Sequence, residues 1–267
     1  MREKISTLPK DSALEENNLK PALVIKNVTK VFPNGLKAVE ETDLTLNKGE
    51  FLTIVGPSGC GKSTLLRLIA GLLTPTQGTI ETPCLKKKKG NMGFVFQDAH
   101  LLPWRTAQRN VELLLEVTGT PKPERADIAI ETLKKVGLKD FEDCYPRQLS
   151  GGMKMRVSLA RTLVLKPQFF LMDEPFAAVD EITRHTLNED FLKLHHQEKF
   201  STLFVTHSVS EAVFMSTRVV VMSCHPGRIL VDIPIPFTID ERIPELRTRP
   251  DFASLCGVIS KHLWEGA

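Results

Sequence analysis

One segment restricts this chain more than any other: Gly56-Pro57-Ser58-Gly59-Cys60-Gly61-Lys62-Ser63-Thr64. It fits the pattern G-x-x-x-x-G-K-[ST], and its flanks fit too. Phe51–Val55, just before it, is a short apolar run with β-branched members, as expected of a strand buried on both faces. Beyond it, Leu65, Leu66, Ile69, Leu72 and Leu73 recur at helical spacing. They predict a helix from about Lys62 to Leu73, closed off by Pro75 and Gly78. Glycines let the backbone curl until successive N–H groups face one anion, and the helix adds the positive end of its dipole. The segment is therefore expected to cradle the phosphates of a nucleotide. Lys62 would bridge the β- and γ-phosphates, and the Ser63 hydroxyl would ligate Mg²⁺. Cys60 reads as a small residue that fits the loop, with a redox role as the lesser alternative.

Elsewhere the pattern alternates between strands and helices. Ala22–Asp43 reads as short strands around a turn at Pro33–Gly35, and residues 79–97 as strands around the charged turn Lys86–Gly90. The Lys86–Lys89 run reads as a solvated hairpin tip, with contact to lipid headgroups as the alternative. Residues 98–148 look mostly helical, with breaks at Pro103, Gly119–Pro123 and Gly137; a further helix covers about Gly151–Leu165 and stops before Pro167. Phe169–Met172, Thr202–Thr206 and Val219–Met222 read as buried strands. Such alternation predicts an α/β fold around a mostly parallel sheet. Residues 1–21 are polar and read as a mobile tail.

Two strand ends carry chemistry. Phe169-Phe-Leu-Met-Asp173-Glu174-Pro175 is an apolar strand that finishes in two carboxylates. Beside a phosphate loop, Asp173 suits a Mg²⁺ partner and Glu174 a general base for the attacking water. His207 follows the strand Thr202–Thr206, at the end where open α/β sheets place their ligands. There it would donate to the γ-phosphate and orient the water at Glu174. The other histidines (His100, His185, His195, His196, His225 and His262) read as surface or satisfied core residues.

Leu149-Ser150-Gly151-Gly152-Met153 opens a helix, with Ser150 as a natural N-cap and glycines that leave the helix end bare for an anion. Together with the phosphate loop and the Asp-Glu strand, it resembles the signature of ABC ATPases. The resemblance covers about residues 22–230, with the motifs in the family's order. It implies the ABC ATPase fold: a P-loop core sheet flanked by helices, an antiparallel β subdomain, and an α-helical subdomain at about 98–165. Residues 232–267 are left as a short C-terminal extension, read as packing rather than as a latch. It also implies ATP and Mg²⁺ as cofactors, and two copies of the chain sandwiching two ATPs. Phe32 then matches the aromatic that stacks on adenine. Gln97, in Val95-Phe-Gln-Asp, matches the Q-loop glutamine that contacts Mg²⁺ and senses the membrane subunit. Ala177-Ala-Val-Asp180 resembles the D-loop at the dimer seam. The family pattern is departed from at Met155 in the signature helix.

Finer cues point to a branch. Gln97-Asp-Ala-His-Leu-Leu-Pro103-Trp104 with Asn110-Val111, Thr206-His-Ser-Val-Ser-Glu211-Ala212, and Ser223-Cys-His-Pro226-Gly227-Arg228-Ile229 resemble the nitrate/sulfonate/taurine importer ATPases. That implies separate permease subunits in the membrane, a periplasmic or surface solute-binding protein acting through them, and a peripheral position on the cytoplasmic side. Leu101, Leu102 and Trp104 read equally as a groove for the permease or as subdomain core. An exporter or lipid-transport ATPase and a soluble non-transport ABC protein are the alternative readings. Against the last, the interval from Thr64 to Leu149 has Pro and Gly breaks and no sustained heptads of the kind a long coiled coil needs.

Composition narrows the field further. The formal net charge is +3, from 35 basic and 32 acidic side chains, too balanced to suggest nucleic-acid binding. Five cysteines without a C-x-x-C pair argue for a reducing compartment. No apolar run reaches the roughly 18–20 residues of a membrane span, and the first residues lack a signal-peptide pattern. The chain is expected neither to cross a membrane nor to leave the cell unaided.

Overall fold

The computed structural model describes residues 20–83 and 90–266. The expected tail lies outside the described residues except for its last two, and so does the lysine run Lys86–Lys89. Pro21, assigned to the tail by sequence, is the first residue of a strand.

Two sheets make up the framework. The smaller is antiparallel, in the order β2-β1-β4, from β1 (Pro21–Val31), β2 (Lys37–Asn47) and β4 (Gln77–Glu81). The two long strands replace the short ones expected over Ala22–Asp43, because the turn between them is confined to Phe32–Leu36 and pairing resumes at once. The larger sheet runs β5-β6-β7-β3-β8-β9. Its members are β3 (Phe51–Val55), β5 (Met92–Val95), β6 (Phe169–Asp173), β7 (Ser201–Thr206), β8 (Arg218–Met222) and β9 (Ile229–Pro234). All are parallel except β9, which pairs antiparallel with β8 at the edge. The strands expected between 79 and 97 therefore belong to different sheets and do not form a hairpin.

Alternation along the central strands explains their unbroken apolar runs. In β3, Leu52 and Ile54 face one core, shared with Leu65 and Leu66 of α1 (Lys62–Ile69) and with the antiparallel sheet. Phe51 and Val55 face the other core, which includes Phe170, Met172 and Phe204. Both faces are covered, so each strand is apolar throughout. Thr53, in the middle of β3, is fully buried but its hydroxyl bonds that of Ser216. Helix α1 stops at Ile69, short of the expected Leu73: Ala70 forms its C-cap, Gly71 follows in the left-handed region, and Leu72 is exposed.

The remaining α-helices among the described residues are α2 (Ala107–Thr118), α3 (Lys122–Lys135), α4 (Gly151–Leu163), α5 (Glu181–Glu198), α6 (Val209–Met215) and α7 (Pro250–Glu265). Gly119 ends α2 in the left-handed conformation, as its sequence position suggests. Met155 is buried in the core beside Val157 and Leu159, so the signature helix carries methionine there as packing. Strand β9 spans the boundary placed at residue 231. Phe252 and Ile259 of α7 join the large core, and the buried Arg242 guanidinium donates to the carbonyls of Val213, Phe214, Ser216 and Phe237. The last segment is thereby packed into the body of the molecule.

Candidate functional site

The carboxyl ends of the parallel strands lie side by side. Val55 of β3 pairs with Thr206 of β7, and Asp173 of β6 with Val205 of β7. The residues that follow each strand therefore emerge at one edge of the sheet: Gly56 after β3, Glu174 after β6, His207 after β7 and Gln97 shortly after β5. This is where ligands bind in sheets of this kind.

The loop after β3 takes the shape its glycines permit. Gly61 adopts φ 98°, and a Cβ there would come within 2.4 Å of the Ala38 carbonyl oxygen. Lys62 then turns back under the loop, only 4% exposed, and its Nζ donates to the carbonyls of Gly56 at 2.7 Å and Pro57 at 2.8 Å. It lies 3.8 Å from Glu174 Oε1. These carbonyls hold the ammonium beneath the loop. Cys60 is buried, and its sulfur lies against Gly56. Burial pushes its thiol pKa up, which suits packing rather than reactivity.

The Ser63 hydroxyl donates to Asp173 Oδ1 at 2.8 Å. Burial raises the Asp173 pKa, the Ser63 hydrogen bond lowers it, and the neighbouring Glu174 charge raises it again. A cation at this point would relieve that cost. Among the described residues no trio of His, Cys, Asp or Glu side chains converges on one point. Mg²⁺ does not need one, since it is held by one or two carboxylates with substrate phosphates and water. The hydroxyl–carboxylate pair fits that ion; Gln97 is exposed two residues beyond β5, the strand paired with β6.

Glu174 has φ 46°, a left-handed conformation uncommon for a residue with a side chain. Its N–H donates to the Val205 carbonyl at 3.0 Å, which fixes it beside β7. Its Oε2 lies 3.1 Å from His207 Nδ1. Lys62, Ser63, Asp173, Glu174 and His207 thus form one constellation.

A cleft of about 280 Å³ opens beside it, lined by Phe32, Leu36, Ser58, Gly59, Gly61–Thr64, Glu174 and His225, among others. Phe32 forms one wall of this cleft. Gly56, Pro57 and Cys60 support the loop without lining the cleft. His225 is the residue sequence reasoning missed. It follows β8 much as His207 follows β7, so the strand-end rule contained the signal. Leu36 in the turn and Lys37 at the start of β2, which also line the cleft, carried none.

Ser150, Gly151 and Asp180 stand apart from this cleft. The Ser150 hydroxyl accepts from the Met153 N–H at 3.2 Å and caps α4; Asp180 Oδ1 accepts from the Thr183 N–H at 2.9 Å and caps α5. Gly152 is required inside the molecule, because a Cβ there would meet Thr183 Cγ2 at 2.5 Å. At Gly151, by contrast, a Cβ would meet nothing within 4 Å, and the residue faces solvent. Nothing within the described chain demands glycine at 151.

Residues 39–177 match the family model described as ABC transporter. An uncharacterised ABC transporter ATP-binding protein of Methanocaldococcus jannaschii is 47% identical over 247 residues, covering 91% of each chain. The chain belongs to the ABC transporter ATP-binding family. The taurine import ATP-binding protein TauB of Escherichia coli (strain K12) is 41% identical over 238 residues, covering 86% of this chain and 93% of TauB. Among solved structures, the ATP-binding cassette MJ0796, in a dimeric post-hydrolysis state bound to ADP and Pi, aligns with TM-score 0.70 and 32% identity. The alignment covers 81% of this chain and all of that one. This ABC protein is accordingly an ATPase, with the mostly parallel core sheet and antiparallel sheet of the ABC fold. Among its described residues no helix is long and apolar enough to cross a membrane.

Proposed function

We propose that this chain is the ATP-hydrolysing subunit of an ABC importer for a small anionic solute such as a sulfonate, taurine or nitrate. Two copies would bind two ATPs between them and act on separate permease subunits at the cytoplasmic face of the membrane, with a solute-binding protein delivering the cargo. The observation that carries the reading is that the site is complete on one side only. Lys62, Ser63, Asp173, Glu174 and His207 gather around the loop, while the bare Ser150–Gly151 helix end points into solvent with no internal reason for its glycine. A second copy would supply that end to the γ-phosphate, with Asp180 at the seam. The dimeric state of the MJ0796 cassette supports this arrangement, and the taurine import relatives support the direction and class of transport.

Bound Mg²⁺ would neutralise developing phosphate charge, held by Ser63, Asp173 and Gln97. Lys62 would exchange the Gly56 and Pro57 carbonyls for phosphate oxygens, leaving Glu174 free to accept a proton from water. His207 holds that carboxylate in place through Nδ1. Closure around ATP drives the permease only through a difference in affinity between its states. Trp104, 70% exposed at the entry to α2, is the side chain best placed to meet the permease, whereas Leu101 packs against the core.

Glu174→Gln tests the reading. The variant is expected to bind ATP, to lose about 10²–10⁴ in turnover, and to accumulate as an ATP-bound dimer on size-exclusion chromatography. Normal hydrolysis by this variant would remove Glu174 as the base.

A further inference from the structure

The residues on either side of His207 are tied to the same acidic residue. The Thr206 hydroxyl donates to Glu211 Oε2 at 2.5 Å and accepts from the Ser208 N–H at 3.1 Å; the Glu211 N–H donates to the Ser208 hydroxyl at 3.3 Å. Thr206 and Glu211 are 3% and 6% exposed. His207 between them is different: its side chain is 52% exposed, and its ring meets Glu174 Oε2 at 3.1 Å. A ring so open to water keeps its aim only if the backbone beneath it is fixed.

A carboxyl group is a costly filler at position 211. Burial pushes its pKa up, and the Thr206 hydrogen bond and the nearby Arg184 only partly oppose this. An apolar side chain of similar size would pack there without that cost. Capping of α6 does not require it either, because Ser208 uses the backbone N–H of residue 211 whatever its side chain. The carboxyl also borders a polar cavity of about 90 Å³, lined in part by Arg184, Asn188 and Arg247. That is room for water to complete its hydrogen bonds.

We propose that Glu211 is a positioning residue for ATP hydrolysis: through the Thr206 hydroxyl, which in turn accepts from the Ser208 N–H, its carboxyl fixes the backbone of His207 so that the ring engages Glu174. This rests on the roles given to His207 and Glu174 above.

The test is steady-state ATP turnover by the full chain with Mg²⁺, for Glu211→Ala, Glu211→Gln, Thr206→Val, Thr206→Ser, His207→Ala and the double variant His207→Ala with Glu211→Ala. Glu211→Ala and Thr206→Val are expected to lower kcat by about tenfold or more with KM for ATP within about twofold. Glu211→Gln and Thr206→Ser, which keep the hydrogen bond, are expected to recover most of the rate. In the His207→Ala background, Glu211→Ala is expected to cost nothing further, because the group it aims is gone. Nucleotide binding without Mg²⁺ checks that each variant is folded. If Glu211→Ala fails to fold, the Thr206 pair carries the same comparison. An unchanged kcat, or an equal loss in both backgrounds, overturns the proposal while leaving His207 in its role. A fully active His207→Ala overturns both.

Discussion

Ser63 and Asp173 stand 110 positions apart in the chain, yet the hydroxyl of one lies 2.8 Å from the carboxylate of the other. One comes from the start of α1 and the other from the end of β6, so the helix and the strand must dock in register for the pair to exist. Ser63→Ala and Asp173→Asn are each expected to raise the Mg²⁺ concentration for half-maximal ATP turnover by about tenfold or more, measured by titration. In the nucleotide-free chain the sign reverses for stability. Burial raises the Asp173 pKa, so stability is present below its ordinary value of about 4 and lost as pH rises through the raised one. Asp173→Asn is expected to melt above the wild type near neutral pH.

Lys62 is held by two backbone carbonyls in a nearly closed environment. Truncation to alanine removes the Nζ and leaves those carbonyls for water. Lys62→Ala is expected to abolish turnover, and fluorescence titration with a labelled ATP analogue should show binding weakened by at least about tenfold, consistent with the loss of a charge-assisted contact of about 1.5–3 kcal/mol.

The sandwich arrangement makes a prediction that single variants cannot. On the proposed arrangement a Ser150 variant would spoil the helix end offered to a partner, and Lys62→Ala would spoil the loop. Mixed in equal amounts, the two inactive proteins form some dimers with one intact composite site. Partial recovery of ATP turnover is expected on mixing; a mixture as inactive as its components would count against shared sites.

His195, on α5, is buried between the rings of Phe51 and Phe200, each 5.1 Å away, with its Nε2 lacking a hydrogen-bond partner. Burial, with a smaller contribution from His196, lowers its pKa to about 4. The unfolded chain takes up a proton near pH 6.5, the folded one only near 4, so stability is whole above about 6.5 and falls as pH drops toward 4. The full loss is about 3 kcal/mol. Denaturant melts across this range should show the decline, and His195→Phe should flatten it.

The phosphate loop, the Asp173–Glu174 pair, His207 and the Ser150–Gly152 helix start were legible in the residues themselves, because each is a local device: a turn needing glycine, a strand meeting solvent, a cap. Buried strands were legible for the same reason, since a strand covered on both faces must be apolar throughout. The sequence did not determine that β4 and β5 part into different sheets, that α1 stops at Ile69, or that residues beyond 231 complete the central sheet and its core. Those outcomes depend on pairing and packing between distant segments, which no local pattern encodes. Nor was His225 given a place in the cleft, though the strand-end rule held the signal, or Glu211, quoted only as a family cue, a place behind His207; their roles show once the strand ends are laid side by side.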